Sequence, residues 1–470
     1  MPETPGQAHS PQLKRVLGRW DMVLLFVVAI VNLNVVPTIA ANGVSVVWLW
    51  LLALLGFFLP QGIAVIELSQ QMPGEGGIYL WAKRIFGDFH GFLSGWCYWT
   101  NNIFYLPTVL LYFVGISVFV AGPGTEHLAD NVPFALSSAL ILLAVLTTLN
   151  VLGLGVGKWV NNLGGIGTAI AAVVLIGLGI AAWHTRDAQF SAASFVPPAD
   201  IRLLSSFGVI CFGLVGLELA SVMGDEIEDP ARTLPGAVVW GGIISGVLYV
   251  GATLTLLVAM PREDVGVLQG IMQAVSRMAN QDGVGWIMPV FALVLAVSVA
   301  GIASAWLGGM ARIPFVAGLD GYMPQAFGKL HPRYATPHVA IIVQSVISGA
   351  FLIMSFIGAQ VKEAFVTMLD LAVVLQLVPF LYIYAALIKV SLPGETRSGR
   401  FSAATLRVAG IAGFICTAAA MSVAFIPSRH IDSIWLFEAK MIIGTFFFVG
   451  LAAFLFFSAN RKAARVATST

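Results

Sequence analysis

Apolar residues run through this chain in about twelve long blocks separated by short polar connections, near 22–41, 46–67, 89–119, 134–152, 160–183, 204–223, 237–260, 286–311, 338–358, 364–389, 405–426 and 434–458. A helix needs about 20 mostly apolar residues to cross a hydrocarbon layer about 30 Å thick. The pattern therefore predicts an all-α integral membrane protein with about twelve transmembrane helices. The block at 89–119 is longer than a span requires and reads as a tilted helix with interfacial ends.

Two blocks are interrupted in their middles. In the first, Asn32, Asn34, Pro37 and Thr38 break an apolar run that starts at Met22; in the sixth, within Phe212–Glu218, Gly213, Gly216 and Glu218 break a run that starts near Leu203. An unpaired backbone group in hydrocarbon costs several kcal/mol, so such breaks persist where they line a cavity or bind something. Superposing 22–183 on 204–389, five spans each, with an offset of about 180 residues brings the two breaks into register. An odd number of spans per copy inverts the second, so the expectation is two five-helix repeats of opposite topology, each opening on a discontinuous helix. This arrangement points to the substrate site of a secondary transporter. Spans eleven and twelve (405–458) stand outside the repeats, after the second of them; a polar N-terminal segment (1–21) precedes the first span and a C-terminal tail (459–470) follows the last.

Composition agrees: 58% of residues are hydrophobic, 10% are charged and the mean hydropathy is +0.90, far from a soluble domain. With an even number of spans, 17 of the 24 lysines and arginines fall on the face of the termini and 7 on the other. Both termini are thus expected in the cytosol, and residues 1–20 contain no apolar stretch of the kind a cleaved signal needs. A formal charge of +1, with no basic cluster interleaved with aromatics, gives no reason to expect nucleic acid. Cys97, Cys211 and Cys416 fall inside spans, where no disulfide is expected. No HExxH, paired CxxC or nucleophilic serine elbow is present, so neither metal, cofactor nor enzymatic chemistry is expected.

The candidate chemistry is sparse. Glu218 lies about fifteen residues into its span, where an ionisable group faces a cavity or partner rather than lipid; it is the candidate for proton coupling or gating, against a structural role in holding broken helices together. Asp370 is the second deep carboxylate, eight residues past Lys362, with a hydrogen bond to a neighbouring helix end as the alternative. Glu67, at the end of span two, reads as a gate or surface pair. No lysine or arginine sits comparably deep, which favours substrates that carry an ammonium group. The backbone dipoles freed at the stretches Asn32–Thr38 and Gly213–Gly216 suit the α-carboxylate and α-amine of an amino acid. Tyr98, Phe212 and Trp306 are candidate pocket or gate aromatics that packing alone would also explain.

Three stretches carry a resemblance. Glu67 through Pro73, Gly76-Gly77 and Tyr79 is similar to an E-x-x-x-x-x-P-x-x-G-G-x-Y signature, Phe212 to Glu218 with the following Glu226 to Pro235 to a span-six break and its loop, and Ala311-Arg312 through Asp320 to Pro324 to the loop after span eight. Together they resemble the amino acid, polyamine and organocation (APC) superfamily of transporters. The resemblance implies the LeuT-type five-plus-five inverted repeat, Glu218 as a proton or gating glutamate, Phe212 as an aromatic that closes over substrate, and Tyr98 and Trp306 as gates. Span one carries Asn-Leu-Asn-Val-Val-Pro-Thr in place of the usual G-S-G-like break, closer to glutamate/GABA antiporters and plant polyamine uptake transporters. Thr168 stands near the lysine of some proton-coupled members, and the external cysteine that members linked to a heavy chain use is absent. The expectation is amino acid transport by exchange or with a proton, in the cytoplasmic membrane of a prokaryote. The alternatives are polyamine or amine transport and a non-transporting sensor, and no disulfide-linked heavy chain is expected.

Overall fold

The computed structural model describes residues 17–74, 76–122, 124–185, 192–196, 201–223, 226–356, 361–393, 399–426 and 434–469. Among them, ten helices are long and apolar enough to cross a membrane, joined by the shorter apolar helix at His338–Met354 and by an interrupted sixth segment. The first span is α1 (Arg19–Ile30), a 3-10 turn at Leu33–Val35 and α2 (Val36–Ala40). The second is α3 (Val46–Ala53), a π turn at Leu54–Phe58 and α4 (Leu59–Gln71), followed by the short α5 (Gly77–Phe86). Next come α6 (Asp88–Ser117), α7 (Val132–Val151) and α8 (Leu154–Thr185). The sixth span is α9 (Ile201–Gly213) and α10 (Leu219–Val222), and α11 (Pro230–Ala259), α12 (Gly270–Gln281), α13 (Met288–Met310) and α14 (Arg312–Leu319) follow. The chain closes with α15 (His338–Ser355), α16 (Val361–Val390), α17 (Ala403–Val423) and α18 (Ile434–Ser469).

Packing follows the two-repeat relation. The broadest helix contacts are α6 on α16 and α13 on α8; exchanging spans three and ten for eight and five converts one pair into the other. Small residues make these crossings possible. A Cβ on Gly164 of α8 would lie 2.6 Å from the Cα of Gly301 on α13, and one on Gly241 of α11 would lie 2.8 Å from Phe26 of α1. Both glycines are therefore needed for the close packing of these spans. At Gly153 the backbone turns with φ +103°, a conformation only glycine adopts freely, and α8 therefore begins at Leu154 rather than near 160.

Two further differences have local causes. The amphipathic helices α5 and α12 lie in connections, too short and too polar to register as spans. Helix α18 continues as helix to Ser469, through the segment read as a tail, because nothing after Phe457 breaks it: the run Ser458–Ser469 contains no proline or glycine.

Candidate functional site

Helices one and six both unwind, at Val31–Asn32 and at Leu214–Glu218. They meet at the breaks. Gly216 has φ +142°, and a Cβ there would sit 2.8 Å from Ile30 Cγ1 and 3.1 Å from the carbonyl carbon of Ala29, so only glycine allows the sixth segment to lie this close to the end of α1. Carbonyls freed at that end are capped by side chains. Ala29 O accepts from Trp306 Nε1 at 3.2 Å and from Asn32 Nδ2 at 3.0 Å. The hydroxyl of Tyr249, on α11, accepts from the Asn32 backbone N–H at 2.8 Å and reaches Gly213 O at 2.7 Å as well as Ile30 O. One phenol thus ties both interrupted helices together. Its ring stacks on Trp50 with centroids 4.7 Å apart.

Glu218 lies in the sixth-span turn with no solvent exposure. Its carboxylate accepts three hydrogen bonds: from Gln61 Nε2 on α4 at 2.5 Å, from Tyr98 Oη on α6 at 2.6 Å and from the Gly216 N–H at 2.9 Å. A buried charge requires such partners, and here three segments of the bundle converge on one side chain. Above it the aromatics close ranks. Tyr105 packs edge-on to Phe212 at 5.0 Å and to Trp306 at 6.0 Å, and Trp306 contacts Tyr98 at 6.5 Å. The sequence-derived set Asn32, Asn34, Tyr98, Phe212, Gly213, Gly216, Trp306 and Glu218 is therefore gathered at the two breaks. Pro37 and Thr38 stand one turn further along α2, where a Cβ on Gly270 of α12 would meet Pro37 at 2.9 Å. Asp370 stands apart: it is partly exposed on α16, about 9 Å along the helix from Gln376 at 1.5 Å per residue. It makes no hydrogen bond to the Glu218 cluster among the described residues, and the side chain of Lys362 lies outside them.

Tyr249, Gln61 and Tyr105 were not singled out by sequence. Each is a lone polar or aromatic residue in an apolar helix, and the only signal available was depth, which Gln61 and Tyr249 share with many neutral residues.

The three signature stretches, remote in sequence, assemble at the end of the bundle where α1 begins. The buried Glu67 accepts from Gln71 at 2.7 Å and from the backbone N–H groups of Arg400 at 3.0 Å and Phe401 at 3.3 Å, so among the described residues an amide side chain and two main-chain donors hold it. Arg312 forks onto Glu226 at 2.9 and 3.1 Å, with both side chains 3% exposed. Asp320 takes the hydroxyl of Tyr79 at 2.5 Å and Lys83 Nζ at 2.7 Å; burial first, and the Asp320 bond second, raise the Tyr79 hydroxyl above its ordinary value. Leu17 pairs with the loop after α10, its N–H to Glu226 O at 3.1 Å and its carbonyl from Glu228 N–H at 2.9 Å. Cys97, Cys211 and Cys416 are free and buried.

A multi-pass helical bundle with two broken helices meeting around buried polar groups defines a membrane transporter of the LeuT type. Residues 17–457 match the amino acid permease family, and the chain belongs to it. It is 30% identical over 448 residues to an uncharacterized transporter of Legionella pneumophila, covering 93% of this chain and 95% of that protein. It is 23% identical to the probable agmatine/putrescine antiporter AguD of Lactococcus lactis, covering 80% of each, and 23% identical to the branched-chain amino acid permease BcaP of Bacillus subtilis, covering 70% of this chain and 72% of the permease.

Proposed function

We propose that this protein carries amino acids across the cytoplasmic membrane of a prokaryote by alternating access, through exchange or together with a proton, with both termini in the cytosol. The observation that carries the reading is the convergence of both helix breaks on Tyr249, with the buried Glu218 held inside the second of them. Main-chain groups at the breaks take the α-amine and α-carboxylate, because the ends of interrupted helices present oriented dipoles of both signs. Tyr98, Phe212 and Trp306 close over the bound molecule, and Glu218 couples closure to the bond from Tyr98 and, in a proton-coupled cycle, to its own protonation.

The test is counterflow in proteoliposomes with a panel of labelled amino acids, in wild type and Glu218→Gln. The glutamine can turn its amide toward the Tyr98 hydroxyl, which accepts as well as donates, so the fold is retained while the titratable charge is lost. An unchanged rate and unchanged pH dependence in this variant would remove the coupling role. A second reading, transport of a diamine or guanidinium amine, is favoured by the buried Glu218 carboxylate together with the similarity to AguD. Competition by putrescine against a neutral amino acid separates the two.

A further inference from the structure

We infer that Asn34 and Tyr105 form a neutral subsite that reads the side chain of the substrate, and that the class it fits is the carboxamide amino acids, glutamine and asparagine. The inference rests on the break region being the substrate site. Within that region most strong polar groups are already committed. The Glu218 carboxylate holds three donors, the Tyr249 hydroxyl links both breaks, and the Trp306 indole N–H is spent on Ala29 O.

What remains is a different set. Both amide atoms of Asn34, the amide oxygen of Asn32 and the hydroxyl of Tyr105 have no hydrogen-bond partner, although Asn34 is 3%, Asn32 2% and Tyr105 1% exposed. The Asn34 side chain lies within interacting reach of the Tyr105 hydroxyl, but the two do not meet the geometry of a formed hydrogen bond. That hydroxyl stands two helical turns, about 10 Å, along α6 from Tyr98, on the ring that packs against Phe212 and Trp306.

Each buried, unpaired group is costly, so this cluster is built for an occupant. Its members are all uncharged, and they offer both donors and acceptors: an amide NH2, two amide oxygens and a phenol. An ammonium or guanidinium placed there would find no free carboxylate, and a carboxylate no cation, which leaves a desolvated ion uncompensated. A hydrocarbon side chain would leave every one of these groups orphaned. A carboxamide pairs with Asn34 by one donated and one accepted bond and keeps a further site for the phenol. Sites built to hydrogen-bond a substrate group reject analogues that lack it far more strongly than apolar pockets reject a change of size.

The experiment is counterflow of radiolabelled glutamine into proteoliposomes preloaded with unlabelled glutamine, competed with asparagine, leucine, glutamate, putrescine and agmatine, in wild type, Tyr105→Phe and Asn34→Leu. Glutamine counterflow is expected in wild type, with asparagine competing at least about tenfold better than leucine or putrescine. Tyr105→Phe retains the ring and its packing and should cut the glutamine-over-leucine preference by about tenfold, one hydrogen bond's worth, without abolishing leucine competition. Asn34→Leu should reverse the preference. If labelled leucine or putrescine counterflows and glutamine neither counterflows nor competes, the subsite is wrong while transport through this site stands. A preference unaltered by both variants likewise overturns it, because Asn34 and Tyr105 then do not contact the substrate side chain. If no amino acid or amine in the panel counterflows, the proposed function fails and the subsite with it.

Discussion

Removing one oxygen atom from Tyr249 tests whether the two helix breaks depend on a single side chain. In Tyr249→Phe the ring keeps its stack on Trp50, so the change is confined to the hydroxyl. Lost with it are the acceptor for the Asn32 N–H and the donor shared by the carbonyls of Gly213 and Ile30. The Asn32 N–H retains a bent contact to Ile30 O at 2.7 Å, which returns part of its loss. At about 1–3 kcal/mol for a buried group left without its partner, the Gly213 carbonyl places the destabilisation at about 1–3 kcal/mol, to which the weakened bonding of the Asn32 N–H adds a smaller share. Tyr112 supplies the control: it is equally buried and its hydroxyl has no partner, so Tyr112→Phe should cost nothing measurable. Reversible unfolding in mixed detergent micelles, with counterflow measured on the same preparations, gives both numbers. If Tyr249→Phe is no less stable than Tyr112→Phe and transports at the parental rate, the phenol does not hold the breaks and the reasoning fails.

Gly216→Ala should abolish counterflow while leaving membrane insertion intact, since its Cβ collides with Ile30 and with the backbone of Ala29; wild-type uptake by this variant would contradict the close approach. Arg312→Met leaves Glu226 buried without its guanidinium and should cost about 3–5 kcal/mol, read as a lower midpoint in the same micelles. The double change Arg312→Met with Glu226→Leu should recover most of it, because two apolar groups leave no charge behind. The pair Tyr79 and Tyr322 gives a pH prediction. Burial raises the Tyr322 hydroxyl to about 12 with help from Asp88, and burial and Asp320 raise that of Tyr79. A raised acid contributes stability that is complete below its unfolded value near 10 and is lost as pH climbs through the folded value. Protease cleavage at the connection between α5 and α6 should therefore be constant from pH 6 to pH 9 and should rise only above about pH 10; a rise near neutrality would show that another group governs this junction.

The span pattern and both interruptions were legible because hydrocarbon makes polar and glycine residues conspicuous. Asn32, Asn34, Gly213, Gly216 and Glu218 stand out in runs of valine and leucine, and the structure gathers them at one level. Partners were harder to read. Tyr249 finds Asn32 across 217 positions and Gln61 finds Glu218 across 157, and no local pattern encodes a contact at that separation. Tyr105 was hidden by numbers, since aromatics make up 11% of the chain and most serve only as packing. Depth along a span says nothing of azimuth, which is why Asp370 read like Glu218 although it is partly exposed and, among the described residues, makes no hydrogen bond to the Glu218 cluster. Glu67 was placed at the correct end, but its partners are backbone N–H groups of Arg400 and Phe401, and main-chain donors carry no residue signature.

The π turn at Leu54–Phe58 gives the second span one residue more than an ordinary helix of that length would hold. Everything after it is rotated by roughly 100° about the axis relative to everything before, and Tyr384 pins the shift by donating to the Phe57 carbonyl at 2.7 Å. Gln61 and Glu67 both lie downstream. Straightening the turn into a regular helix with all five residues kept would swing both side chains off their targets together, whereas deleting one of the five removes the excess residue and leaves both aimed as they are. Homologous chains that lack one position in this stretch will thus show a one-residue gap there while keeping the same face of the downstream helix toward the bundle.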